Sequence, residues 1–119
     1  MGYSWKSYGG TQIFYCDYSG LKPDEMIKFL HETCDVLRKT PNKVPLLVNF
    51  ENTVGTTEYM NEVKRLGTEV IAPKTTKMAL LGISGVKSVL LQGYALFTGQ
   101  KNIKSFKTEK EAMEWLVSP

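Results

Sequence analysis

The sequence has few of the residues that metal sites and many enzymes require. It contains one histidine and two cysteines in 119 residues, and the cysteines, Cys16 and Cys34, form no CxxC pair. Zinc sites need several cysteine or histidine ligands at short spacings, so we predict no bound metal and no other cofactor. Both thiols lie within apolar patterns and are expected to be buried as small hydrophobic side chains.

Catalytic motifs are also absent. The stretch GISG around Ser84 lacks the second glycine of the nucleophile turn G-x-S-x-G, because Val86 occupies that position. No glycine-rich loop has the spacing that holds nucleotide phosphates. His31 lies on the flank of a predicted helix, where a partly exposed surface histidine is expected. We predict that the chain is not an enzyme; an unrecognised enzyme that uses Cys16 or His31 is the alternative.

Long apolar runs and a strong charge are missing as well. No run approaches the roughly 20 residues that cross a bilayer, and the first ten residues, MGYSWKSYGG, lack the apolar core of a secretory signal. The net charge of +3 is small for a nucleic-acid-binding protein. A series of lysines near the C-terminus suits a protected sheet edge. We expect a cytoplasmic protein with no membrane span and no nucleic-acid partner.

The sequence does contain a regular alternation of strand-like and helix-like segments. Strands are predicted at residues 3–8, 12–18, 46–50, 78–83 and 102–106. Helices are predicted from Pro23 onward, at residues 57–71 and 86–97, and after a T-x-x-E capping box at Thr108 and Glu111. The order ββαβαβαβα, with Gly9-Gly10 joining the first two strands as a hairpin, predicts an α/β fold with a mainly parallel sheet. Residues 1–119 are predicted to form a single domain.

The loop ENTVGTT, residues 51–57, follows a buried strand and precedes a helix. Ligands of open α/β sheets collect outside the carboxyl ends of the strands, where helix N-termini offer free N–H groups. We therefore predict a partner- or ligand-binding loop; an ordinary connection capped by a threonine is the alternative. The candidate residues in this loop are Asn52, Gly55, Thr56, Thr57 and Glu58.

The turn at Ser84 and Gly85 occupies the equivalent place after the next strand. Lys87 follows in the first turn of the helix, so backbone N–H groups and an ammonium group are predicted to lie close together. Such a cluster is suited to an anion or a carboxylate.

The helix at residues 86–97 is apolar around most of its circumference. At about 100° per residue, one stripe contains Val86, Val89, Leu90, Gly93, Leu96 and Phe97. Leu91 and Ala95 fall opposite this stripe, and Tyr94 falls on its flank. We expect the stripe to be buried, and Leu91 and Tyr94 to remain for a second contact with a subunit, a partner protein or an apolar ligand. Burial by the chain's own C-terminal segment is the alternative.

Three segments together resemble the SpoIIAA-like family, also described as STAS/SEC14-type domains. They are IFYCDYSGLKPDEMIKFL, PLLVNFENT and MALLGISGVKSVLLQGYALFTG. The resemblance implies successive βα units preceded by a hairpin strand, as in the small bacterial and archaeal members without an established activity. Better-known members are anti-sigma-factor antagonists that bind a kinase and are switched by serine phosphorylation. The corresponding loop, residues 53–58, lacks their Asp-Ser-Ser-Gly-like turn.

These observations predict a non-enzymatic protein-binding or regulatory module. It is expected to act through loop 52–57 and the outer side of helix 86–97, with a protein partner or a second copy of the chain. The alternative is a small carrier of an apolar or acidic ligand, held near the Ser84–Gly85 turn.

Overall fold

The sheet has five strands, and their spatial order follows their order in the chain. The computed structural model describes residues 2–119. The strands are β1 (Gly2–Tyr8), β2 (Thr11–Asp17), β3 (Val44–Asn49), β4 (Thr75–Leu81) and β5 (Ile103–Phe106). β1 pairs with β2 antiparallel, and the other neighbours pair in parallel. The predicted hairpin and the mainly parallel sheet are therefore confirmed.

Helical segments alternate with the strands as predicted. They are α1 (Pro23–Lys39), α2 (Thr57–Leu66), α3 (Ala72–Lys74), α4 (Val86–Thr98) and α5 (Glu109–Val117). A π-helical turn, Gly67–Ile71, joins α2 to α3. The helical run therefore extends past the predicted end at residue 71 to Lys74, and β4 begins at the next residue.

The helices cover the two faces of the sheet unequally. Right-handed crossovers between consecutive neighbouring strands place α1, α2 and α4 on one face, where Phe14, Leu46 and Met78 belong to the larger core. α5 covers the other face, where Ala112 packs with Leu47 in a smaller core. Thr108 begins α5 as predicted, since its hydroxyl oxygen accepts a hydrogen bond from the Glu111 amide at 3.2 Å.

Both cysteines are buried in the larger core, as expected. Cys34 is fully buried, Cys16 is nearly so, and neither forms a disulfide. Burial raises the pKa of the Cys34 thiol to about 11 and raises the pKa of the Cys16 thiol further. Both groups are therefore neutral thiols at physiological pH, which makes them poor nucleophiles.

The contact between the π-helical turn and α4 depends on the absence of a side chain at Gly67. A Cβ atom there would lie 2.6 Å from both Cε1 and Oη of Tyr94 and 2.9 Å from Cγ2 of Thr98. These distances are shorter than any ordinary van der Waals contact. α4 thus approaches the π-helical turn at a position where only glycine fits.

Gly67→Ala tests this contact. The added methyl group overlaps Tyr94, so we expect the free energy of unfolding to fall by about 1–3 kcal/mol, measured by urea denaturation in dilute solution. Gly93→Ala is the matched control, because a Cβ atom at Gly93 would meet only the Lys64 Nζ atom, 4.0 Å away. Since alanine favours helix over glycine, the control is expected to gain about 0.5–1 kcal/mol. Equal changes in the free energy of unfolding for the two substitutions would contradict the close contact proposed at Gly67.

Candidate functional site

The loops that follow β3 and β4 lie side by side at one edge of the sheet. Asn49 pairs in register with Leu81, so both strands end together. Gly82 has a φ of +77°, and a Cβ atom there would lie 2.5 Å from the backbone nitrogen of Glu51. Glycine is thus required twice over at position 82, by its backbone conformation and by the closeness of the neighbouring loop.

The loop after β3 is held by its own threonines. Thr53 is buried, and its hydroxyl donates to the Phe50 carbonyl at 2.6 Å. Thr56 is the N-cap of α2, because its hydroxyl oxygen accepts from the Tyr59 amide at 3.2 Å. Asn52 adopts a left-handed conformation with a φ of 56°. The predicted threonine cap is therefore present, and the loop is well ordered by local hydrogen bonds.

The candidate side chains of this loop differ in their exposure. Asn52, Thr57 and Glu58 are exposed, whereas Gly55 and Thr56 are half-buried. Gly55 abuts Leu90, since a Cβ atom at Gly55 would lie 2.5 Å from its Cδ1 atom. Sequence reasoning missed Val54, an apolar side chain of the same loop that is 66% exposed.

Lys87 ties α4 to both loops. Its Nζ atom donates to the Phe50 carbonyl at 2.8 Å and to the Gly82 carbonyl at 3.3 Å. The ammonium group that was predicted to lie beside an anion-binding cluster thus donates to two backbone carbonyls. Ser84 and Gly85 are exposed and form the turn before α4, with the Ser84 carbonyl accepting from the Lys87 amide at 3.2 Å.

The orientation predicted for α4 was wrong. Tyr94 is only 3% exposed, and Leu91 is half-buried against the larger core. These two candidate residues therefore face inward. The stripe that was expected to be buried faces outward except at the half-buried Leu90, because Tyr94 fits against Gly67 and Lys87 reaches the two carbonyls.

The outward stripe is the largest apolar feature that α4 presents. Its exposed members are Val86 (76%), Val89 (67%), Leu96 (85%) and Phe97 (63%). Gly93, which is half-buried, lies among them. We call these five residues the α4 outer face. None of them is charged, and the single charged residue of α4, Lys87, points away from this face.

A cavity of about 60 Å³ lies beneath α4. Candidate residues Gly55, Lys87, Leu91 and Tyr94 contribute to its wall, whereas Ser84 and Gly85 do not. Most of the remaining wall is apolar, including Met26, Met60, Met78, Leu80 and Leu90. The structure thus brings part of the predicted site together, but below α4 rather than at the Ser84–Gly85 turn.

Two tyrosines of the cavity wall have different hydrogen bonding. The Tyr94 hydroxyl donates to Oε1 of Gln100 at 2.8 Å. The Tyr59 hydroxyl is fully buried, and although Tyr18 is near enough to influence its ionisation, no partner meets hydrogen-bond geometry. Burial raises the pKa of both tyrosines well above the usual value.

The single histidine of the chain lies outside this region. His31 lies on the surface of α1, where its Nε2 atom is 2.6 Å from a Glu62 oxygen. Within residues 2–119 no group of three or more His, Cys, Asp or Glu side chains is placed to hold a metal ion. No helix in the same residues has the length and apolar character of a membrane span.

Comparisons with known proteins identify the fold. No family model and no curated protein matches the chain. A STAS domain protein from Planctomyces limnophilus, described as an anti-sigma-factor antagonist, is 12% identical with a TM-score of 0.64, covering 99% of this chain and 100% of its own. The chain has a SpoIIAA-like fold. An uncharacterised DUF3478 protein with this fold from Shewanella loihica is 13% identical with a TM-score of 0.67, covering 97% of this chain and 92% of its own. The fold predicted from the resemblance is confirmed.

Lys87→Met tests the role of Lys87. The substitution keeps much of the aliphatic chain and removes the two hydrogen bonds to carbonyl groups, so we expect a loss of about 1–3 kcal/mol in the free energy of unfolding. Amide hydrogen exchange should also accelerate in the first turn of α4. Lys101→Met, at an exposed position, is the control and should change neither quantity. Unchanged amide hydrogen exchange in the first turn of α4 in Lys87→Met would contradict the role given to Lys87.

Tyr59→Phe and Tyr94→Phe form a second matched pair. Removing an unpaired buried hydroxyl relieves a desolvation cost, so Tyr59→Phe should raise the free energy of unfolding by about 1 kcal/mol. Tyr94→Phe should lower it by a similar amount, since Gln100 loses its donor. Urea denaturation checks both values, and a loss of stability in Tyr59→Phe would show that its hydroxyl has a partner in solution.

Proposed function

We propose that this chain is a non-enzymatic protein-docking module that binds through the α4 outer face and the adjoining loop 52–57. The observation that carries the proposal is the uncharged face formed by Val86, Val89, Leu96 and Phe97, each more than half exposed. Large exposed apolar patches on folded domains mark interaction sites, because leaving them in water is unfavourable. Val54, in the adjoining loop, is a further exposed apolar side chain.

The chemistry of the remaining residues supports binding over catalysis. The thiols of Cys16 and Cys34 are buried and neutral, and His31 pairs with Glu62 on the surface. Lys87 donates to backbone carbonyls instead of a substrate position. A STAS domain protein described as an anti-sigma-factor antagonist shares the fold, which agrees with a role in protein recognition.

The position of the surface also supports this function. α4 begins after β4, and the loop 52–57 follows β3, so the N-terminal end of α4 and the loop lie where adjacent parallel strands end. Loops and helix termini at that edge are the usual recognition region of open α/β folds. The exposed side chains of the α4 outer face are aliphatic and aromatic. They favour an apolar contact with a protein over polar recognition of a small ligand.

Leu96→Asp tests the proposal. A tagged chain is used to isolate bound proteins from a lysate of the source organism, with quantitative mass spectrometry as the readout. The aspartate places a charge in the apolar contact, so we expect recovery of the bound proteins to fall at least about tenfold, equivalent to about 1.4 kcal/mol. The fold should be preserved, because Leu96 is 85% exposed.

Lys110→Asp is the control for the change of charge. Lys110 is exposed on α5, which covers the opposite face of the sheet, so its replacement should leave recovery unchanged. Undiminished recovery by folded Leu96→Asp would reject the α4 outer face as the docking surface. Circular dichroism establishes that each variant is folded.

A further inference from the structure

We propose that the α4 outer face docks a second copy of this chain, in a two-fold pair whose axis passes close to Gly93. The inference rests on the proposed function, because it names the molecule that the docking surface binds. It is carried by the position of Gly93 within the exposed apolar stripe, by the free space outside it, and by the size and charge of the surface.

Gly93 provides a site for close approach between helices. Val89, Gly93 and Phe97 are four residues apart and form one ridge of α4, the kind of ridge that interdigitates in the commonest helix-packing class. The central residue has no side chain, and a Cβ atom there would have only the flexible Lys64 Nζ atom within 4.0 Å. The middle of the ridge is therefore a shallow gap open to solvent.

This gap makes the stripe complementary to itself. With antiparallel helices related by a two-fold axis at Gly93, residues equally distant from Gly93 on opposite sides meet across the interface. Val89 then meets Phe97 of the second copy, once on each side of the axis. Apolar side chains contact one another at each step, and the two glycines allow the helix backbones to approach. Symmetric self-matching of this kind is what a two-fold interface requires.

The size and charge of the surface fit a dimer of moderate affinity. The four exposed apolar side chains of α4 present on the order of several hundred Å² of apolar surface. A stable interface buries about 800 Å² per partner, of which a little more than half is apolar, so these side chains supply apolar area of the scale that such an interface contains. The α4 outer face carries no charge that would need a partner of opposite sign.

The position of Lys64 predicts how association of the two copies depends on salt concentration. Its Nζ atom lies 5.9 Å from the centre of the Phe97 ring and close to Gly93, so the ammonium groups of the two copies lie near the axis and repel each other. Salt screens that repulsion, since the Debye length falls from about 10 Å at 0.1 M to about 3 Å at 1 M. Association should therefore strengthen as the salt concentration rises. Binding to an acidic protein or an anionic membrane should weaken instead.

Gly93→Ala separates association from folding. In dilute solution the substitution is expected to stabilise the monomer, because alanine favours helix over glycine. In the dimer the two methyl groups hold the helices apart at the axis. Sedimentation equilibrium of the wild type should give about twice the 13.4 kDa mass of the chain at high concentration, with a dissociation constant that Gly93→Ala raises at least about tenfold.

Lys110→Ala, on α5, should leave the dissociation constant unchanged, and Leu96→Asp should be monomeric. A wild type that stays monomeric at high concentration and high salt would overturn the second copy as the occupant. So would a dimer that Gly93→Ala does not weaken, or a monomer that sediments with phosphatidylglycerol vesicles. A monomeric wild type that retains other proteins through Leu96 would overturn the dimer alone and leave the docking function standing.

Discussion

The exposed face of α4 depends on the contact between Tyr94 and Gly67. Because Gly67 has no side chain, the Tyr94 ring enters the space beside the π-helical turn, and its hydroxyl is satisfied by Gln100. Lys87 secures the other end of α4 by donating to carbonyl groups of both neighbouring loops. These two attachments lie on one side of the helix, so the opposite side, with Val89 and Leu96, is left in water.

α4 therefore has two apolar sides with different roles. The inner side contributes Leu91 and Tyr94 to the larger core and to the wall of a small cavity. The outer side leaves the aliphatic groups of Val86, Val89 and Leu96 more than half exposed. Contact between these apolar side chains and water is unfavourable. A docking partner that covers them removes this unfavourable contact. The proposed function and the proposed dimer both follow from this single property.

Much of the fold could be predicted from local sequence patterns, because each of these patterns is compatible with only one local structure. Gly9-Gly10 between two strand-like runs indicated a hairpin, and the Thr108–Glu111 pair indicated a helix start. The rotation of α4 could not be predicted in the same way. The periodicity identified the stripe from Val86 to Phe97 correctly, but residues on both sides of the helix are apolar, so hydropathy did not distinguish inside from outside.

The position of the charged residue in α4 also gave the wrong indication of its outward side. A lysine normally points to solvent, yet Lys87 points inward because two carbonyl groups at the strand ends accept its hydrogen bonds. The Gly67–Tyr94 contact joins residues 27 positions apart, and the sequence pattern of either helix alone contains no information about it. The predicted loop residues were placed at the correct edge of the sheet, whereas Val54 was missed because a single valine in a polar loop carries no distinctive pattern.

The orientation of α4 is tested most directly by methyl NMR with a soluble paramagnetic agent, at a concentration low enough to keep the chain monomeric. Methyl groups that face water are broadened, and those packed against the core are protected. The account predicts strong broadening for Val89 and Leu96 and much weaker broadening for Leu91. Protection of Leu96 together with strong broadening of Leu91 would contradict it, since α4 would then present the opposite side to solvent.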